Sequence, residues 1–338
     1  MSSKERLGSP QPGDRVLWIR FWAFGDTLEA VANAYNFKRR FPDTHLTFLT
    51  HPEYEDMLRA LPYIDDVITG RKSPFAEWRG TLQKIRDGRY KWLVSGHRGG
   101  KTSLLARFGR AQYRIGSGGL LFNCNYHMNL QDWGRTCGFD AADRSSPSIF
   151  PAAEDREAAD AFLARLPERR LFALVGAGVD VRKMWPNERW IEFLRPLVDE
   201  GWGIVLNGHG LVEEANGQRI ESALASRNVL NLVGALGFRK MAGVAYRCTL
   251  AVGNETGPLH LAALSGVPTM GFLSHGPFDS AALLTMPWFR VVLAEELIPE
   301  RRGEKFLMKF LPSEPVAKAF NAFAEEFLPK AFAWRGNG

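Results

Sequence analysis

From Leu171 to Leu273 the chain switches repeatedly between two hydrophobic periods, and that alternation limits its possible folds more than any other feature. The runs "LFALVGAG", "WGIVLNG", "VLNLVG", "TLAVGNE" and "VPTMGFL" are short and apolar, and most close on Gly or Asn, as buried strands do. Between them lie "NERWIEFLRPLVDEG", "EEANGQRIESALA", "RKMAGVAYRC" and "GPLHLAALSG", whose apolar residues recur at helical spacing. Repetition of strand and helix builds a parallel sheet covered by helices. The first half carries the same pattern less plainly. There "RVLWIRFWAFGD" is an apolar run closed by Gly25-Asp26, the amphipathic "TLEAVANAYNFKRRF" follows, and "HLTFLT", "DDVIT", "KWLVSG" and "YRIGSG" supply further strands.

A chain of 338 residues with 45% hydrophobic content is long enough for two cores. The Ser/Pro-rich connection and charged helix of "DAADRSSPSIFPAAEDREAADAFLARLPERR" separate the two alternating halves. The expected organisation is α/β: a Rossmann-like domain over residues 14–150, a linker helix over 151–168, a second Rossmann-like domain over 169–312 and a closing helix over 313–332. Two such domains would turn the carboxyl ends of their parallel sheets toward an interdomain cleft, where open α/β sheets bind ligands.

Composition narrows the function classes. No run reaches the ~20 apolar residues of a membrane span, and "MSSKERLGSPQPGD" lacks the apolar segment of a signal peptide, so a cytoplasmic protein is expected. Cys124, Cys137 and Cys248 show neither CxxC nor Cys/His spacing and read as structural thiols. The net charge of +6 suits an anionic partner. Nucleic acid is a poor choice, because no basic run is interleaved with aromatics.

The turn "VGNETGPLHLAAL" is the most informative stretch. Thr256, Gly257 and Pro258 stand where a helix begins, with Pro258 at a position whose missing N–H costs nothing. Free amides and the positive end of the helix dipole there suit a phosphate, and Gly257 permits close approach. The plainer alternative is a helix capped by Thr256 with nothing bound.

This turn resembles the Gly-Asn-Asp-Thr-Gly-Pro-x-His-Leu-Ala-Ala signature of glycosyltransferase family 9, the ADP-heptose:lipopolysaccharide heptosyltransferases. "RVLWIRFWAFGD" is similar to the family's opening strand and Gly-Asp loop, "VGAGVDVRKMWPNERWIEFL" to its Lys-x-Trp-Pro element, and "GIVLNGHGLVEE" to its next strand and acidic loop. The resemblance implies a GT-B fold and metal-independent transfer with inversion. It further implies a heptose donor, ADP-heptose, held by the C-terminal domain, and an anionic acceptor in the lipopolysaccharide core. Peripheral contact with the inner face of the bacterial cytoplasmic membrane would follow. Where the family has Asp, this chain has Glu255, which bears on the donor sugar.

The residues divide into roles on that basis. Asp26 reads from its neighbours as a helix cap in an Asp-x-x-Glu arrangement, and the resemblance assigns it the base that takes the acceptor proton. Lys183 would stabilise the departing diphosphate, assisted by Arg182 and by backbone amides at Gly178, Thr256 and Gly257. His260, one turn into its helix, joins the donor set by resemblance, as does Glu255. Glu213 or Glu214 is the candidate for ribose hydroxyls. Arg20, Arg98 and Lys101 form an expected basic rim for the acceptor. "SGHRGGKTS" is one residue too short in its loop for a triphosphate-binding Gly-x-x-x-x-Gly-Lys-Thr. No Asp-x-Asp pair is present to hold a divalent metal, so no metal or other cofactor is expected.

Overall fold

In a computed structural model the described residues are 7–20, 23–71, 75–96, 100–118, 126–176, 180–274 and 281–335. Two compact units divide the chain, Met1–Asp143 and Arg144–Gly338.

The first unit holds strands β1 (Arg15–Ile19), β2 (His45–Thr50), β3 (Asp66–Thr69), β4 (Trp92–Ser95) and β5 (Tyr113–Gly116). Its helices are α1 (Phe24–Arg40), α2 (Glu55–Arg59), α3 (Phe75–Asp87), α4 (Gly100–Phe108) and α5 (Leu130–Cys137). All strand pairs are parallel, in the order β3-β2-β1-β4-β5. Val16, Leu17, Trp18 and Ile19 are wholly buried, which explains why β1 reads as a continuous apolar run. Phe37 of α1 stacks on Trp133 of α5 at 5.4 Å, and Trp92 lies 5.6 Å from the same indole, so one aromatic cluster ties helices to sheet.

The second unit begins with α6 (Ala153–Leu163), followed by β6 (Arg170–Leu174), α7 (Asn187–Asp199), β7 (Gly203–Asn207), α8 (Leu211–Leu224) and β8 (Val229–Asn231). It continues through α9 (Phe238–Tyr246), β9 (Leu250–Asn254), α10 (Gly257–Leu264), β10 (Thr269–Leu273), β11 (Phe289–Leu293), α11 (Ala294–Leu297) and α12 (Ser313–Phe327). The sheet is parallel in the order β11-β10-β9-β6-β7-β8. β11 extends this sheet by a strand that the sequence pattern had not marked. The helix read as a linker packs within the unit: Asp155 of α6 pairs with Arg239 of α9 at 2.9 Å. α12 covers α7 through Phe320, whose ring lies 5.3 Å from Phe193. Cys137 and Cys248 are buried free thiols, and burial pushes Cys248 up to about 12; Cys124 lies outside the described residues.

In each sheet the chain fills one side of its first strand and then the other. The direction changes at β1/β4 and at β6/β9. Strand ends at such a reversal diverge, and the helices that follow them leave on opposite faces.

Candidate active site

In the first unit, β1 runs directly into Arg20, whose N–H still bonds to Leu49 O at 3.0 Å. The Arg20 side chain, only 12% exposed, turns across the β1/β4 reversal. Its guanidinium reaches Asp26 Oδ2 at 2.9 Å and donates to Gly96 O, after β4, at 2.5 Å. Asp26 itself is 40% exposed. An ion pair this open to water orients its partners more than it stabilises the fold. Asp26 is not the cap expected from its neighbours: α1 starts at Phe24 with Ala23 in the cap position, which puts the carboxylate in the first turn. It complements the positive end of the helix there. Arg20 thus stands beside the candidate base, where the sequence had suggested an acceptor rim. Lys101 lies exposed in the first turn of α4, and Arg98 lies outside the described residues.

Tyr54 joins this group without any sequence signal. Its ring sits 5.1 Å from Phe24. Burial, with smaller contributions from the Glu53 and Asp26 carboxylates, pushes its hydroxyl up to about 12. Tyr54 therefore stays a neutral phenol through the physiological range.

In the second unit the Lys183 and Glu255 side chains meet across the β6/β9 reversal. Lys183 closes a single 3-10 turn, Val181–Lys183, after β6, and Glu255 follows β9. Lys183 Nζ lies 3.0 Å from Glu255 Oε2 and 3.5 Å from Glu255 O. The turn is anchored from behind by Trp185, which is fully buried, lies 5.0 Å from Trp190 and 5.2 Å from Phe272, and donates its indole N–H to Leu311 O at 2.8 Å. α7 then starts at Asn187 with Pro186 in the cap position. Arg182 forms a two-pronged pair with Asp180 at 2.8 and 2.7 Å. Those hydrogen bonds hold the Asp180 carboxyl below the usual carboxylate range.

Thr256 is the cap residue of α10 by its backbone, but its side chain makes no cap; the hydroxyl turns back to Asn254 O at 3.3 Å. Leu259 and His260 bond to Thr256 O through their N–H groups, and Pro258 has none, so Thr256 and Gly257 carry the amides at the mouth of the helix. His260 is buried one turn in. Trp288 fixes this helix from below through its indole bond to Ala263 O at 2.7 Å.

The adjacent glutamates of α8 part company. Glu213 is 4% exposed and lies against Gly176 after β6, Gly208 after β7 and Gly210 at the start of α8. A Cβ on Gly176 would come within 2.4 Å of Glu213 Cγ, and Gly210 has φ +125, so glycine is needed at both places. Glu214 packs against Gly234 instead. Asn254 Nδ2 donates to Gly176 O at 2.9 Å, which links the Glu213 corner to the Glu255–Thr256 turn. Gly178 lies outside the described residues. A cation beside a helix amino end, with carboxylates set around it, can bind a phosphorylated ligand and make directed hydrogen bonds to its hydroxyls.

Residues 135–281 match the family model of glycosyltransferase family 9 (heptosyltransferase). No curated protein matches the sequence as a relative. Among solved structures, the chain is similar to a family 9 glycosyl transferase from Veillonella parvula at TM-score 0.77 and 18% identity, covering 94% of this chain and 99% of that one. It is similar to E. coli ADP-heptose lps heptosyltransferase II at TM-score 0.73 and 18% identity, with 92% and 99% covered. E. coli heptosyltransferase WaaC, solved with ADP, gives TM-score 0.70 and 19% identity over 93% and 99%. At such identities the structures establish the fold, the two-sheet GT-B architecture.

Proposed function

Because residues 135–281 carry a glycosyltransferase family 9 domain and the chain has the GT-B fold, we propose that this glycosyltransferase moves a heptose from ADP-heptose to an anionic acceptor of the lipopolysaccharide core. One observation supports the donor half most directly: Lys183, Glu255 and the amino end of α10 converge at the carboxyl ends of neighbouring strands β6 and β9. The acceptor hydroxyl oxygen attacks the anomeric carbon while its proton passes to Asp26. The bond from that carbon to the diphosphate oxygen breaks with inversion. Charge then grows on the diphosphate, where the Lys183 ammonium and the Thr256 and Gly257 amides stabilise it. Glu213 accepts from ribose hydroxyls, with His260 and Arg182 completing the donor surroundings, and Gly178 adds a backbone amide. Arg20 keeps the Asp26 carboxylate aimed, while Arg98 and Lys101 meet the acceptor's negative charge.

Such an enzyme works on a glycolipid at the cytoplasmic face of the inner membrane by peripheral contact. No helix among the described residues is long and apolar enough to cross a membrane. A second reading, a family 9 enzyme for another nucleotide sugar, is favoured by Glu255, whose longer side chain takes the place of the family's Asp. Binding and transfer measured over a panel of ADP-, UDP- and GDP-linked sugars test both readings. ADP-heptose turned over at the highest kcat/KM supports the first, a different preferred sugar the second, and no transfer from any donor rejects both.

A further inference from the structure

The Lys183–Glu255 ion pair does more than line the proposed donor site. The side chains are 35% and 20% exposed, so the pair is partly withdrawn from water. Both ends are held by rigid elements: Lys183 by the Trp185 anchor, and Glu255 by β9 and α10 on either side of it. The cation that a ligand phosphate would seek is therefore already neutralised by an anion from its own chain. A ligand that takes the hydrogens Lys183 now gives to Glu255 must displace that carboxylate.

We infer that Glu255 is a specificity-determining residue that competes with ligand phosphate for Lys183, so that the pocket admits only anions strong enough to take the lysine from it. The inference rests on the nucleotide-donor reading above. An attached competitor acts at a high effective concentration, so a weakly charged ligand exchanges one anion for another at no gain. A diphosphate offers several oxygens, and the α10 amides add hydrogen bonds that Glu255 does not use. Competition of this kind differs from plain repulsion, because it depends on reach. The carboxylate of an aspartate at this position is drawn back by one methylene, about 1.5 Å, which takes it out of hydrogen-bond reach of Nζ where the lysine now lies, yet it leaves the same charge beside the site.

Calorimetric titration of ADP onto the full-length protein and its Glu255→Gln and Glu255→Asp variants tests this. Both variants are expected to bind ADP about fivefold more tightly than the wild type, the scale of a partly exposed ion pair. Tightening in Glu255→Gln alone means repulsion without competition and overturns the inference, as does unchanged or weaker binding in both. Those two outcomes leave the donor reading standing. Absence of ADP binding in the wild type and both variants overturns the inference and the donor reading together.

Discussion

Asp26 combines the exposure a base needs with the orientation a loose surface carboxylate lacks, because Arg20 holds one of its oxygens at 2.9 Å. Asp26→Asn keeps the size and much of the hydrogen bonding, and since Ala23 occupies the cap position the helix start is not disturbed. The variant is expected to retain donor affinity while transfer falls about 100-fold or more, the usual scale for loss of a general base. Stopped-time transfer assays beside ADP titration check both halves; near-normal turnover would remove Asp26 from the chemistry. Gly257→Val has the opposite profile. A β-branched side chain at the mouth of α10 obstructs the approach of a phosphate to the backbone, so ADP binding should weaken about tenfold or more without loss of fold. Unchanged affinity by calorimetry would leave the α10 amides with no ligand role.

At the scale of elements, the turn carrying Lys183 depends on one indole. Trp185→Phe preserves most of the apolar packing against Trp190 and Phe272 but removes the bond to Leu311 O. A cost of about 1–2 kcal/mol is expected from the buried carbonyl left behind, read as a lower urea midpoint at unchanged slope. ADP affinity should fall with it, because Lys183 loses its anchor; full affinity at reduced stability would separate the anchor from the site. Much of this level is legible in the sequence. β2 is the stretch "HLTFLT" and β7 lies within "WGIVLNG", since buried parallel strands need apolar runs and their ends need small polar residues. α1 begins earlier than the pattern indicates, because "FGD" contains a glycine and looks like loop. β11 is masked by its own charge: Arg290 interrupts the run, and as an edge strand it needs burial only in part. The ion pairs are a different matter. Lys183–Glu255 joins residues that only the folded strand order brings together, and Arg20–Asp26, though six residues apart, depends on how the chain turns from β1 into α1, which no spacing announces. Tyr54 likewise reaches Phe24 and Asp26 only through the fold.

For the molecule as a whole, the proposed chemistry draws its positive charge from the chain itself. In that chemistry Lys183 and the α10 amides take the part that a divalent ion plays in meeting a diphosphate. Transfer should therefore continue at full rate after treatment with excess chelator and without added magnesium or manganese. Loss of activity that either metal restores would require a different account of how the leaving group is stabilised.

The bond from Trp185 to Leu311 also has a consequence for how the protein is made. Synthesis runs from the amino end, and domains gather as they emerge. Lys183 leaves the ribosome long before Leu311, yet the indole that anchors its turn gains its hydrogen bond only when that carbonyl arrives. A nascent chain can hold β6, β7 and β9 side by side and still lack a settled lysine. On the proposed reading, competence for the donor is then among the last properties the growing polypeptide acquires.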